Sequence, residues 1–127
     1  MAHTLFVHAD ELLGETVRAV LEAEGHAVGF VAGGEAALEA IRRKRPDLVI
    51  LDNMMPDVPG EEVLRQIRAS DGVYRTPVLM LTARRKEDDV QIAMRAGADD
   101  YLKKPFDPDQ LLAHVDVLLA SGRKRVV

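Results

Sequence analysis

Leu48-Val49-Ile50-Leu51-Asp52, followed by Asn53-Met54-Met55-Pro56-Asp57-Val58-Pro59-Gly60, is the stretch that decides the fold of this 127-residue chain. The apolar run is too short for a helix and rich in β-branched and aliphatic side chains, so it reads as a strand buried on both faces, as in a parallel sheet. Its terminal carboxylate then stands at the carboxyl edge of that sheet, where open α/β sheets place their chemistry. Read alone, Asp52 fits a solvated strand end or turn-former as well.

Outward from this strand, short apolar runs alternate with amphipathic segments. Thr4 to Val7 reads as a first strand, and Leu13, Val17, Val20 and Leu21 recur at helical spacing until Gly25 stops the helix. Ala27 to Val31 is a second strand, and Glu35 to Arg43 a helix with Leu38 and Ile41 inward, closed by Pro46. A helix from Glu61 to Ala69 carries Val63, Leu64 and Ile67 on its apolar stripe. Val78 to Thr82 is the fourth strand, and a helix with Val90, Ala93 and Met94 on one side ends at Gly97. Asp100 to Lys103 is a short last strand. Asp107-Pro108-Asp109-Gln110 then has the cap, first-turn proline and reciprocal Gln of a helix start, with Leu111, Val115, Leu118 and Leu119 as the core face.

Composition narrows the class. One domain of ordinary size, with 47% hydrophobic and 30% charged residues, is expected to be globular and soluble. No apolar run approaches membrane-spanning length and no signal-peptide pattern leads the chain, so a cytoplasmic protein without membrane contact is expected. The absence of cysteine excludes disulfides and thiolate metal sites. A net charge of −4 argues against nucleic acid as a direct ligand.

Five strands alternating with five helices imply a flavodoxin-like doubly wound α/β fold: a five-stranded parallel sheet with helices on both faces. The loops after the first, third, fourth and fifth strands line one crevice at the switch point of such a sheet. Those loops hold His8-Ala9-Asp10-Glu11, Asp52, Thr82-Ala83 and Lys103-Lys104-Pro105. Carboxylates, a hydroxyl and an ammonium converging there suit phosphoryl chemistry, with Asp52 as nucleophile, Lys104 and Thr82 offsetting phosphoryl charge, and a divalent cation holding the incoming group.

The segments PDLVILDNMMPDVPG at 46–60, TPVLMLTA at 76–83 and AGADDYLKKPF at 96–106 together resemble the receiver domain of two-component response regulators, from Thr4 to about Leu119. The resemblance implies phosphorylation of Asp52 by a partner histidine kinase or phosphotransfer protein, with Thr82 and Tyr101 as a switch pair. Lys104 is then the phosphate-contacting lysine, preceding a cis proline, and Met54 lends a backbone carbonyl to magnesium or manganese. Output passes through the face of the fourth helix, fifth strand and fifth helix to a downstream protein or a fused output domain, and homodimerisation through that face is common in the transcription-factor group it looks most like. A phosphoacceptor signalling domain of this kind is not an enzyme beyond its own phosphotransfer and dephosphorylation. Taken singly, Thr82, Tyr101 and Lys104 have ordinary strand-end, packing and edge-charge readings.

One departure from the family pattern stands out. Receivers carry two adjacent acidic residues after the first strand, and here those positions are His8 and Ala9, with Asp10 one residue late. Asp10 reaches back into the site, or His8 with Asp52 favours a softer ion such as manganese or zinc, or the domain is a pseudo-receiver acting as a phosphorylation-independent interaction module. The candidate metal donors are therefore Asp52, Met54, Asp10 and His8. A haloacid-dehalogenase-type phosphatase would need an Asp at position 54, and a flavodoxin a Ser/Thr/Gly-rich loop after the first strand. Residues 1–120 are expected to form the receiver, with 121–127 a tail or the start of a linker. His114 occupies a position where an arginine is common in that group, which bears on any pairing of Asp99 or Asp100 across a dimer.

Overall fold

The computed structural model describes residues 3–8, 11–53, 55, 57–82 and 87–122; Asp10, Met54, the Thr82 side chain and the tail at 123–127 lie outside the described set. The elements run β1 (His3–His8), α1 (Glu11–Ala23), β2 (Ala27–Ala32), α2 (Ala37–Lys44), β3 (Leu48–Asp52), α3 (Gly60–Arg68), β4 (Val78–Thr82), α4 (Glu87–Ala96), β5 (Asp100–Lys103) and α5 (Pro108–Gly122). All strand pairs are parallel, in the order β2-β1-β3-β4-β5. The expected flavodoxin-like doubly wound architecture is what the chain adopts.

Parallel strands covered on both faces must be apolar throughout, and β3 is buried at every position. Alternation along β1 and β3 divides the core in two. Leu5, Val7, Val49 and Leu51 pack with α2, α3 and α4, whereas Phe6, Leu48 and Ile50 pack with α1 and α5. Val63, Leu64 and Ile67 are fully buried, and so are Val17, Leu21, Leu111 and Val115.

Helix boundaries follow their caps. At the end of α1, Gly25 takes φ +83°, its amide bonds the Glu22 carbonyl and the His26 amide bonds that of Leu21. The Asp107–Gln110 box forms in both directions: the Gln110 amide donates to Asp107 Oδ1 at 2.8 Å, and the Asp107 amide donates to Gln110 Oε1 at 3.0 Å. Helix α2 starts at Ala37 and not Glu35, because the amides of Gly34 and Glu35 are drawn to the carboxylate of Asp57. Met94 is 42% exposed, contrary to the inward position read from spacing; the buried stripe of α4 is Val90, Ala93 and Ala96, and steps of three carry it away from Met94.

The amino ends of the strands are tied by Arg68 at the close of α3. Its guanidinium donates to Gly97 O at 2.9 Å, Tyr74 O at 2.9 Å, Thr76 O at 2.6 Å and Asp99 Oδ2 at 2.8 Å. Asp99 Oδ2 also accepts from the Val78 amide. Five planar donors in one group allow α3, the loop before β4, and the α4–β5 turn to be held at once.

Candidate functional site

Strand order places the switch point between β1 and β3, because β1 leads to β2 on one side and β3 continues on the other. Thr4 to Val7 pair with Leu48 to Leu51, so the register carried one residue on sets His8 beside Asp52 at the carboxyl ends. Asp52 is 2% exposed. Lys104, just beyond β5, donates its Nζ to Asp52 Oδ1 at 2.9 Å, and the Lys104–Pro105 peptide is cis as the resemblance implies. A carboxylate so deeply buried requires a cation or strong donors, and this ammonium supplies one.

The loop after Asp52 turns back on the strand. Asn53 continues the ladder through its amide to Leu81 O, and Gly60 approaches so closely that a Cβ there would lie 3.0 Å from both Asn53 Cα and Asp52 O. Asp57, at the outer bend of this loop, accepts from the amides of Gly34, Glu35 and Val58 at 2.8–3.0 Å. Those three donors, Gly34 foremost, hold its carboxyl at about 2 against an ordinary value of 3.8. Asp57 thus fastens the loop after β3 to the β2–α2 loop. No local signal in the sequence marks Asp57, since its partners Glu35 and Gly34 lie 22 and 23 residues away.

The expected site residues divide as follows. Asp52 and Lys104 are in contact, and the strand register sets His8 beside Asp52. Tyr101 lies on the other side of β5, half-buried against the α2–α3–α4 core. Thr82 ends β4, its backbone in register with Lys103. Its side chain and the donors Asp10 and Met54 are outside the described residues.

Among the described residues no group of three or more His, Cys, Asp or Glu could hold a metal ion. They offer one carboxylate, Asp52, whose Oδ1 already accepts from Lys104. Magnesium, which wants near-octahedral oxygen, does not find a complete site in them.

On the α4–β5–α5 face, His114 Nδ1 lies 2.6 Å from Asp100 Oδ2, and Asp100 Oδ1 accepts from the Tyr101 amide. Asp99 is engaged by Arg68. Asp99 and Asp100 are therefore both held within the chain. No helix among the described residues is long and apolar enough to cross a membrane.

Comparison with known proteins agrees with this geometry. Residues 5–116 match the family described as response regulator receiver domain. The transcriptional regulatory protein CseB of Streptomyces avermitilis is 42% identical over 117 residues, covering 92% of this chain and 48% of CseB. The DNA-binding response regulator MtrA of Mycobacterium tuberculosis is 44% identical over 111 residues, covering 87% of this chain and 47% of MtrA. The chain spans about half the length of these relatives. The crystal structure of the receiver domain of a Pseudomonas aeruginosa sensor histidine kinase, with magnesium coordinated in its active-site cleft, superposes with TM-score 0.87 at 29% identity, covering 94% of this chain and 98% of that one. With the fold, the Asp52–Lys104 contact and a family match over residues 5–116, the chain belongs to the receiver domains of two-component response regulators.

Proposed function

We propose that this receiver accepts a phosphoryl group on Asp52 from a partner histidine kinase or phosphotransfer protein, and that the modified domain presents an altered α4–β5–α5 face to its output. The observation that carries the reading is the ion pair at the carboxyl edge: Asp52, 2% exposed, held by Lys104 at 2.9 Å. In the transfer a carboxylate oxygen of Asp52 attacks phosphorus as the bond from phosphorus to the donor breaks. With phosphohistidine the electron pair leaves on the imidazole nitrogen, and an aspartyl phosphate is formed. Lys104, already beside the carboxylate, offsets the charge carried by the phosphoryl oxygens without having to be recruited.

The phosphoryl group then draws the Thr82 hydroxyl, and Tyr101 follows further inward on β5, a two-state shift of strand and flanking helices. Tyr101 suits this role because it is half-buried now and its amide is tied to Asp100. The relatives' descriptions as transcriptional and DNA-binding regulators support an output through a DNA-binding partner or fused domain, with this domain carrying the signal and not the DNA contact.

Intact-protein mass after incubation with acetyl phosphate tests the proposal. A gain of one phosphoryl group that is absent in Asp52→Asn is expected. An equal gain in Asp52→Asn overturns the assignment of Asp52, and no gain at saturating manganese in a folded protein favours a phosphorylation-independent interaction module.

A further inference from the structure

We propose that this receiver holds divalent cations weakly, because His8 is committed to packing and the adjacent position that would grip the ion directly is Ala9. The proposal rests on the receiver reading for the place of the cleft and for what Asp52 does there.

Three elements are shaped around the His8 ring. From β1, Phe6 lies with its ring centroid 4.9 Å away. From β2, Phe30 meets the imidazole edge-on at 5.4 Å and 89°, and the Arg18 guanidinium of α1 lies over Phe30, 4.3 Å from its centroid. From α1, Gly14 leaves the space that the imidazole fills: a Cβ there would come within 3.0 Å of both His8 Cε1 and Nε2. Glycine within a helix is unfavourable relative to alanine and calls for a packing reason, which the imidazole supplies. His8 is 7% exposed as a result.

A metal-bound imidazole commonly turns its second nitrogen to a carboxylate, carbonyl or water that fixes the ring. Here the ring is oriented by aromatic contact and by the space left at Gly14, and the buried Nδ1 has no hydrogen-bond partner. The His8 ring is therefore held by packing against Phe6 and Phe30 and in the space left at Gly14. Of the described donors, Asp52 has Oδ1 engaged by Lys104, and the residue that follows His8 in the sequence is an alanine, which brings no carboxylate to the oxygen-rich shell that magnesium or manganese requires. Lys104 is then the standing cation of the site and the metal an occasional one.

The test is a manganese titration of the full chain, followed by water-proton relaxation, for wild type, Ala9→Asp, His8→Leu and Asp52→Asn/Ala9→Asp. Ala9→Asp is expected to bind manganese at least about tenfold more tightly than wild type, the scale on which a supporting contact acts. His8→Leu, which removes both ring nitrogens, is expected to bind as wild type does, and Asp52→Asn is expected to abolish the gain. Weakening in His8→Leu by about tenfold would make His8 a ligand and overturn the proposal. No gain in Ala9→Asp would overturn it as well, whether Asp10 already completes the site or no site exists. Urea unfolding of each variant checks folding. Because the readout is binding, a protein that gains manganese through Ala9→Asp yet takes no phosphoryl group from acetyl phosphate would refute the phosphotransfer reading and leave this one standing.

Discussion

Replacing Lys104 by methionine keeps most of the stem and removes the charge that faces Asp52. At 2.9 Å the gross attraction of the pair is about 6 kcal/mol for an effective dielectric constant of about 20, before the cost of desolvating both groups. The Asp52 side chain is 3% exposed and that of Lys104 22%, so the methionine variant takes this ammonium from a carboxylate that water barely reaches. Removing one partner of a buried pair costs about 3–5 kcal/mol, and the lower end applies where one head still meets solvent. Lys104→Met is therefore expected to lose about 3 kcal/mol in urea unfolding monitored by circular dichroism at neutral pH. Asp52→Asn, which removes the charge that needed compensation, is expected to change stability by less than about 1 kcal/mol. In the Asp52→Asn background, Lys104→Met is expected to cost less than about 1 kcal/mol, leaving a coupling of about 2 kcal/mol. Additive losses in the double variant would refute the claim that Lys104 compensates Asp52 in the unmodified domain.

Three further outcomes follow from contacts elsewhere. Arg68→Met takes the guanidinium from Asp99, whose side chain is 6% exposed, and removes its bonds to three carbonyls, so a loss of about 3 kcal/mol in urea unfolding is expected; a loss under about 1 kcal/mol would mean that the fork is not what joins α3 to β5. The carboxyl of Asp57 is depressed from 3.8 to about 2, so its stabilising contribution is complete above about pH 4 and is lost as the pH falls toward about 2. The stability gap between wild type and Asp57→Asn should accordingly be level above about pH 4 and close below it, and a gap that widens on acidification would reverse the assigned cause. Gly14→Ala, which at an ordinary helical site gains about 1 kcal/mol, should destabilise the wild type because its Cβ meets the His8 ring at 3.0 Å, and should regain about that amount in a His8→Ala background.

The sequence carried those features whose physics is local or periodic. A run that reads apolar at every position must lie in a covered parallel strand, so β3 and β4 were legible to the residue, with Asp52 at the edge. The Asp107–Gln110 box and Gly25 marked their helix ends because a cap and its partner lie within one turn. The meeting of Asp52 and Lys104, 52 residues apart, was reached through strand order and family resemblance and not through spacing. Asp57 and Arg68 were missed because each collects backbone groups from segments that only the folded sheet brings near. The surroundings of His8 were equally hidden: the sequence showed that an acid was missing, but not that Gly14 and Phe30 had made a place for its replacement. Met94 went the other way, a correct helical period assigned to a stripe one position too wide.

We propose the carboxylate held by Lys104 at the end of β3 as the phosphoacceptor. Treating the acetyl phosphate-modified protein with borohydride reduces an aspartyl phosphate to homoserine, and peptide mass mapping then locates the changed residue. Homoserine at position 52, and at no other aspartate, is the predicted result; modification at Asp10, Asp57 or another carboxylate, with position 52 untouched, would contradict the account.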